Sequence, residues 1–368
     1  MFRRCTSPHS HVCGCPTPGK FKGGRRFHIL DRQTVARQSP VQALSSLYIG
    51  FIVPLAEKAL ISRIRGRAAR RQGVAAGIGD DCAILKIPAG HQALVTTDFS
   101  LEGVHFRREW HPADAVGHRC LARGLSDIAA MGGNPIAAFL SLALPPKIPQ
   151  SWVNQFVKGL LKLADAFHVS LAGGDTAQSL NVLADIVVVG SAPAGKAIRR
   201  SGARAGDSIY VTGTLGGAAA TLKMLFSGRK LRSADFPHHF YPTPRIEVGQ
   251  FLMEKALASA MIDISDGLST DLAHICQESG VGAEIQAPAI PCASIGKPAR
   301  EVELQFALHG GDDYELLFTA PRGKRVPSRI AGVAVSQIGH ITRDKHIVLM
   351  NDQGVGSELR PQGWEHFK

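Results

Sequence analysis

No apolar run in the 368-residue sequence approaches the roughly 20 residues that a membrane-spanning helix needs. The longest one near the start, LYIGFIVPLA at 47–56, is half that length and is broken by Pro54, so no span and no membrane partner are expected. The seven cysteines (5, 13, 15, 82, 120, 276 and 292) have no framework spacing, which excludes a disulfide scaffold and suits a reducing cytoplasm. CTSPHSHVCGC at 5–15 matches no standard zinc pattern. Also missing are the GxxxxGK[ST] loop and the catalytic loop of protein kinases. Any nucleotide site must therefore be built from metals and glycine backbone.

A formal net charge of +12 suggests nucleic acid or an anionic surface until it is located. Residues 1–50 carry eight Lys/Arg against one acid, residues 51–75 carry six against one, and the 28 Lys/Arg and 28 Asp/Glu of the remainder cancel. A basic arm on a neutral body is not the one-sided basic face of a nucleic-acid-binding domain, so no nucleic-acid partner is expected. Residues 1–54 mix Pro, Gly, Ser, Arg and His without periodicity, as a disordered arm or a mis-called translation start would.

From residue 55 the chain alternates helical and strand patterns, which places it in the α/β (α+β) class with about two domains. A helix is expected over 55–68, strands over 82–87 and 92–98, a long helix over 112–131, a strand over 137–144, a helix over 150–167, and strands at VSLAGGD and 184–192. The polar, glycine-bearing stretch at 195–207 reads as a junction, giving domains 55–195 and 196–368. The second half restarts as strand, glycine turn and helix over 208–225. That turn lacks the Lys-Ser/Thr ending of a phosphate loop and reads as close strand-to-helix packing. A helix over 243–257 is expected to start with Thr243 as N-cap and Pro244 at its first position.

The chemistry-bearing pattern is acidic: GIGDD (77–81), VTTD (95–98), LSDIAAMGG (125–133), LAGGD (171–175), MIDISDGLSTD (261–271) and HGGDDYE (309–315). Any one of these segments is an ordinary turn. Six of them, several directly after apolar strands, point to carboxylates gathered where strands end, as in open sheets that bind ligands at their mouths. Gathered carboxylates need a cation, and their oxygens together with a Thr hydroxyl suit Mg²⁺. A polyphosphate is the natural partner of such ions, with positioning and charge neutralisation as the chemistry.

In order and spacing these segments, with TTDFSLEGVHF, IRRSGARAGDSIYVTGTLG and the terminal GWEHF (363–367), resemble the bacterial thiamine-monophosphate kinases. The resemblance covers roughly residues 55–368. It implies ATP-dependent phosphorylation of thiamine monophosphate to thiamine diphosphate in the cytoplasm. It also implies a two-domain architecture like aminoimidazole ribonucleotide synthetase, with an N-terminal α/β domain that dimerises and a C-terminal α/β domain, and ATP with several Mg²⁺ between them. Matched motif by motif, the metal ligands would be Asp81, Thr96, Thr97, Asp98, Asp127, Asp175, Asp263 and Asp266. Gly174, Asp175, Arg200 and Ser265 would meet ATP, and His105, Asp312 and Trp364 the thiamine side. Asp312 departs from one common form of its motif, GGEDYE, by a shorter arm. No general base is assigned, because the acceptor phosphate oxygen is already anionic. Asp80 and Asp313 are expected behind the ligands or in turns. Two other readings remain: another ATP-dependent synthetase of the same superfamily, or a non-catalytic protein that binds nucleotide or nucleic acid.

Overall fold

Strand β1 (His91–Leu101) shows how the first half is built. Leu94 and Ser100 are buried and Thr96 and Asp98 half-buried on one face, while Val95, Thr97 and Phe99 lie exposed on the other, as the two-residue period of a strand dictates. The computed structural model describes residues 57–364; the expectations for residues 1–54 and for the end of GWEHF lie outside the described residues.

Helix α1 (Glu57–Arg67) buries Leu60 and Ile64. The strand expected over 82–87 shortens to Ile84–Leu85, because its partner Val74–Ala76 offers only three residues to pair with. After β1 come α2 (Ala113–Ala130), β2 (Asn134–Leu144), α3 (Gln150–Ala166), β3 (Ser170–Gln178) and β4 (Leu183–Pro193). Their sheet runs β1-β4-β2-β3. Only β2 and β3, joined through α3, are parallel.

The second half contains β5 (Ser208–Thr212), α4 (Gly217–Phe226), α5 (Ile246–Glu254), β6 (Ala260–Asp263), α6 (Leu268–Ser279), β7 (Gly282–Gln286), α7 (Leu304–His309), β8 (Leu316–Ala320), β9 (Val333–Thr342), β10 (Ile347–Met350) and β11 (Gly356–Glu358). Its eight-stranded sheet runs β11-β10-β7-β9-β5-β8-β6, with Arg329–Ile330 added on β9, and again is mixed, β10 and β7 being parallel. The chain thus forms two α/β domains. They share one hydrophobic core in which Leu94, Leu125 and Leu140 of the first meet Leu252, Met261 and Phe318 of the second.

Helix α2 is the axis of that core. It is buried on nearly all sides, and small residues let its neighbours approach to backbone contact. A Cβ added at Gly117 would lie 1.9 Å from the Phe156 carbonyl oxygen, and one added at Gly159 would lie 1.9 Å from that of Asp114, so α2 and α3 cross through a pair of glycines.

Two expectations need correction. Helix α5 starts at Ile246 rather than at Thr243, and Arg245 occupies its N-cap position without a side-chain cap. The Arg245 side chain is engaged elsewhere: its guanidinium clamps the buried carboxylate of Glu315, with Nε donating to Oε2 at 2.7 Å. The acids also do not gather at strand mouths. Asp98 and Asp175 sit within strands, Asp127 sits on α2, and among the strand acids assigned above only Asp263 closes one, so convergence comes from stacking α2 between the two sheets.

Candidate active site

Three carboxylates from three elements stand beside α2, near enough to feel one another's charge. Asp98 projects from the inner face of β1, Asp127 from the last turns of α2, and Asp263 from the end of β6. The Thr96 hydroxyl donates to Asp127, and the buried Ser126 hydroxyl donates to Asp263 Oδ2 at 2.6 Å. Burial, the facing carboxylates and few counter-charges make this group reluctant to ionise. Burial, then the charges of Asp127, Asp312 and Asp185, push Asp98 up to about 6 against the pull of Arg123. Burial, then Asp127 and Asp98, push Asp263 up to about 7, opposed by the Ser126 hydroxyl and Arg200. Asp127 is raised chiefly by burial, with Thr96 and Arg200 acting the other way. Three oxygen-rich, mutually repelling side chains fit a hard divalent cation, which would reverse the penalty that raises them.

Ser265 and Asp266 extend this group. The Ser265 carbonyl accepts the Asp312 N–H at 2.9 Å, and ligand atoms of Asp266, Asp271 and His274 lie within 4.8 Å of one another. Asp271 is buried at the start of α6, where it accepts the Gly267 N–H at 3.0 Å and the Asp266 N–H at 3.2 Å. Burial, then Asp263 and Asp266, raise it well above the ordinary carboxylate range. Trp364, half exposed, is tied to the same turn by its N–H on the Asp266 carbonyl at 3.2 Å. His105 follows β1, its Nδ1 accepting the Leu101 N–H at 3.1 Å. Arg200 is exposed and near enough to attract Asp127 and Asp263.

Asp81 and Asp175 belong to a different place. They line a cavity of about 640 Å³ together with Gly174, Thr176 and the apolar side chains of Ile61 and Leu142. Only glycine fits at 174, where φ is +147° and an added Cβ would lie 1.8 Å from the Leu140 carbonyl oxygen. Thr176 Oγ1 is buried without a hydrogen-bond partner, an orphan in the wall of this cavity. Register relates the cavity to the acids: Asp98 faces Ile186, which faces Leu140, which faces Gly174. Three strand spacings of about 4.8 Å put roughly 14 Å between the two ends of that row. Thr97 points to the exposed face and donates to Asp185 Oδ1 at 2.7 Å.

Asp312 is the most constrained of the anticipated residues. Arg119 donates to its Oδ2 at 2.8 Å, Arg123 to Oδ1 at 3.2 Å and the Tyr314 hydroxyl to Oδ1 at 2.6 Å. Burial alone would lift this carboxyl, but the two guanidiniums and the hydroxyl hold it well below the usual range. Asp313 accepts the Gly216 N–H at 2.7 Å and so secures the start of α4, the turn role expected for it. Sequence reasoning missed Asp185, Arg119, Arg123 and His274. The i, i+3 spacing of Asp271 and His274 was the one available signal.

The chain matches two family models, the AIR synthase related protein N-terminal domain over residues 79–192 and the corresponding C-terminal domain over 204–351. It is 39% identical over 326 residues to the thiamine-monophosphate kinase of Salmonella typhimurium, covering 84% of this chain and 98% of that protein. The solved thiamine-monophosphate kinase of Stenotrophomonas maltophilia superposes with a TM-score of 0.71 at 37% identity, covering 82% of this chain and 98% of that one. A structure of AaThiL complexed with AMPPCP and TMP gives a TM-score of 0.68 at 31% identity, covering 85% and 97%.

Proposed function

Because this chain belongs to the thiamine-monophosphate kinase family, we propose that it transfers the γ-phosphoryl group of ATP to thiamine monophosphate, giving thiamine diphosphate. The observation that carries the reading is the closeness of Asp98, Asp127 and Asp263, drawn from both domains, half-buried or buried and near enough to raise one another. With Thr96 these side chains would hold Mg²⁺ and Asp266 would supply a further oxygen, whereas Asp81 and Asp175 at the cavity and Thr97 on the other face of β1 would bind only separate ions. Bound Mg²⁺ would neutralise phosphate charge and fix the phosphate oxygens for in-line transfer.

The glycine-backed cavity beside Gly174 and Asp175 suits the nucleotide, whose phosphates Arg200, near Asp127 and Asp263, and Ser265 would meet. His105 and Trp364 are offered to the thiamine side, where an exposed indole can stack on a heterocycle. No side chain is needed as a general base, since the attacking phosphate oxygen is anionic; the protein positions both partners and keeps water from the reacting atoms. Residues 55–195 and 196–368 act as the two lobes around the site. The outer face of the first sheet, with Val95 67% and Phe99 53% exposed, is the surface proposed to pair two copies as a homodimer. The enzyme is assigned to the cytoplasm.

Purified protein incubated with ATP, Mg²⁺ and thiamine monophosphate should yield thiamine diphosphate, identified by mass, and excess EDTA should abolish it. Absence of the product, or full turnover in EDTA, refutes the reading.

A further inference from the structure

The segment 310–315 breaks a backbone rule twice. Asp312 and Tyr314 both lie in the left-handed region, at φ +67° and +52°, although neither is glycine and one is bulky. Neighbours enforce this: the Asp312 N–H is held by the Ser265 carbonyl at 2.9 Å and the Tyr314 N–H by the Ile264 carbonyl at 2.8 Å. Such strain persists where the surroundings over-determine it, and here its effect is to place one carboxylate.

That carboxylate does not face an open site alone. Two guanidiniums against one carboxylate leave the group at a net +1, so Asp312 is already neutralised and is a poor counter-ion for a cationic ring. Arg119 is further committed, donating to the His239 carbonyl as well. Arg123 is the divided one. It is buried, donates to the Phe99 carbonyl at 3.3 Å and to Asp312 at 3.2 Å, and stands 3.8 Å from Asp98 Oδ1. Asp98 and Asp312 therefore share one guanidinium, and what one gains the other loses.

We propose that Asp312 and Arg123 are positioning residues that set the divalent-cation affinity of the acidic group, Asp312 holding Arg123 back from Asp98 so that the carboxylate stays available to a cation. The inference rests on the proposed role of Asp98, Asp127 and Asp263 in holding cations. Neutralising Asp312 frees the guanidinium to fall on Asp98 and compete with the ion. Removing Arg123 leaves Asp98 unopposed and the group more negative. The two changes thus act in opposite directions, which loss of a merely structural contact does not do.

The test is Mn²⁺ binding to the full metal-free chain without nucleotide, read from the spectrum of free Mn²⁺ by electron paramagnetic resonance. Asp312→Asn, whose side chain tolerates left-handed backbone, should weaken binding about three- to tenfold, and Arg123→Met should tighten it by a similar factor. Asp312→Glu keeps the charge and should stay within about twofold of the wild type. If Arg123→Met does not fold, the Asn and Glu variants decide alone. Unchanged Mn²⁺ affinity in Asp312→Asn, with a raised KM for thiamine monophosphate instead, overturns the inference and makes Asp312 a direct substrate contact. A shift of Asp312→Asn and Arg123→Met in the same direction also overturns it. Failure of the wild type to bind Mn²⁺ at all overturns the underlying metal reading as well.

Discussion

Lowering the pH from 7 to 4.5 should destabilise this protein through one buried pair. His111 Nε2 lies 2.9 Å from His239 Nε2, and the two rings are 2% and 1% exposed. At that distance a single proton fits between them, and burial beside Arg119 keeps both rings neutral near pH 7. Burial, followed by the nearby Arg119 guanidinium, lowers His111 to about 4, against weaker support from the Arg107 carbonyl and Asp312. Burial, Arg119 and His111 itself hold His239 well below its ordinary value. The unfolded chain takes up protons from about pH 6.5 downward while the folded pair does not, so the unfolded state binds more protons and stability falls with falling pH. The contribution is fully present above about 6.5 and is lost as the pH drops toward the folded value of about 4. A shift from 6.5 to about 4 at 1.36 kcal/mol per unit corresponds to about 3 kcal/mol for His111, with His239 adding in the same direction. That is a large share of a typical stability of about 5–15 kcal/mol. The assay is urea unfolding at pH 7.5, 6, 5 and 4.5 for the wild type and for His111→Gln/His239→Gln, because the difference between the two cancels carboxylates titrating elsewhere. A constant difference in unfolding free energy across the series refutes the reasoning.

Asp98→Asn removes one of the three facing carboxylates while preserving shape. Turnover at limiting Mg²⁺ should drop on the order of 100-fold, and wild-type turnover there would remove Asp98 from the metal assignment. Gly117→Ala should destabilise although alanine is the better helix former: the added Cβ, 1.9 Å from the Phe156 carbonyl oxygen, forces α2 and α3 apart at a cost of about 3 kcal/mol. An unfolding midpoint equal to that of the wild type would show that the crossing yields freely.

The order of strands and helices was legible because long periodic segments such as 112–131 and 150–167 report their own secondary structure. Of the acids expected to gather, Asp98, Asp127 and Asp263 lie near enough to feel one another's charge, whereas Asp81 and Asp175 line a separate cavity. Periodicity names a face but not the partner on it. Arg119 reaches Asp312 across 193 positions and His111 reaches His239 across 128, and nothing local to either residue announces the pairing. The misplaced start of α5 has the same origin. Thr243 and Pro244 carry good local signals, but Arg245 is drawn to Glu315, 70 positions away, and that clamp sets where the helix begins. The acids were assigned to strand mouths because the strands were read one at a time, whereas two mixed sheets stacked on a common helix bring them together along their lengths.

Helix α2 explains why packing and chemistry are hard to separate in this fold. Its glycines allow α3 to approach to backbone contact. Ser126 and Asp127 on the same helix reach the acids, and Arg119 and Arg123 reach Asp312. Holding Asp98 and Asp263 in a setting that lifts them to about 6 and about 7 works against folding near neutral pH, where solvent would ionise them freely. The tight α2 core offsets that cost, and a cation that binds only the folded state would offset it further. A loosened crossing at Gly117 would therefore shift the acids as well as the core, and added divalent cation should recover part of the lost stability in Gly117→Ala only if the three carboxylates still meet.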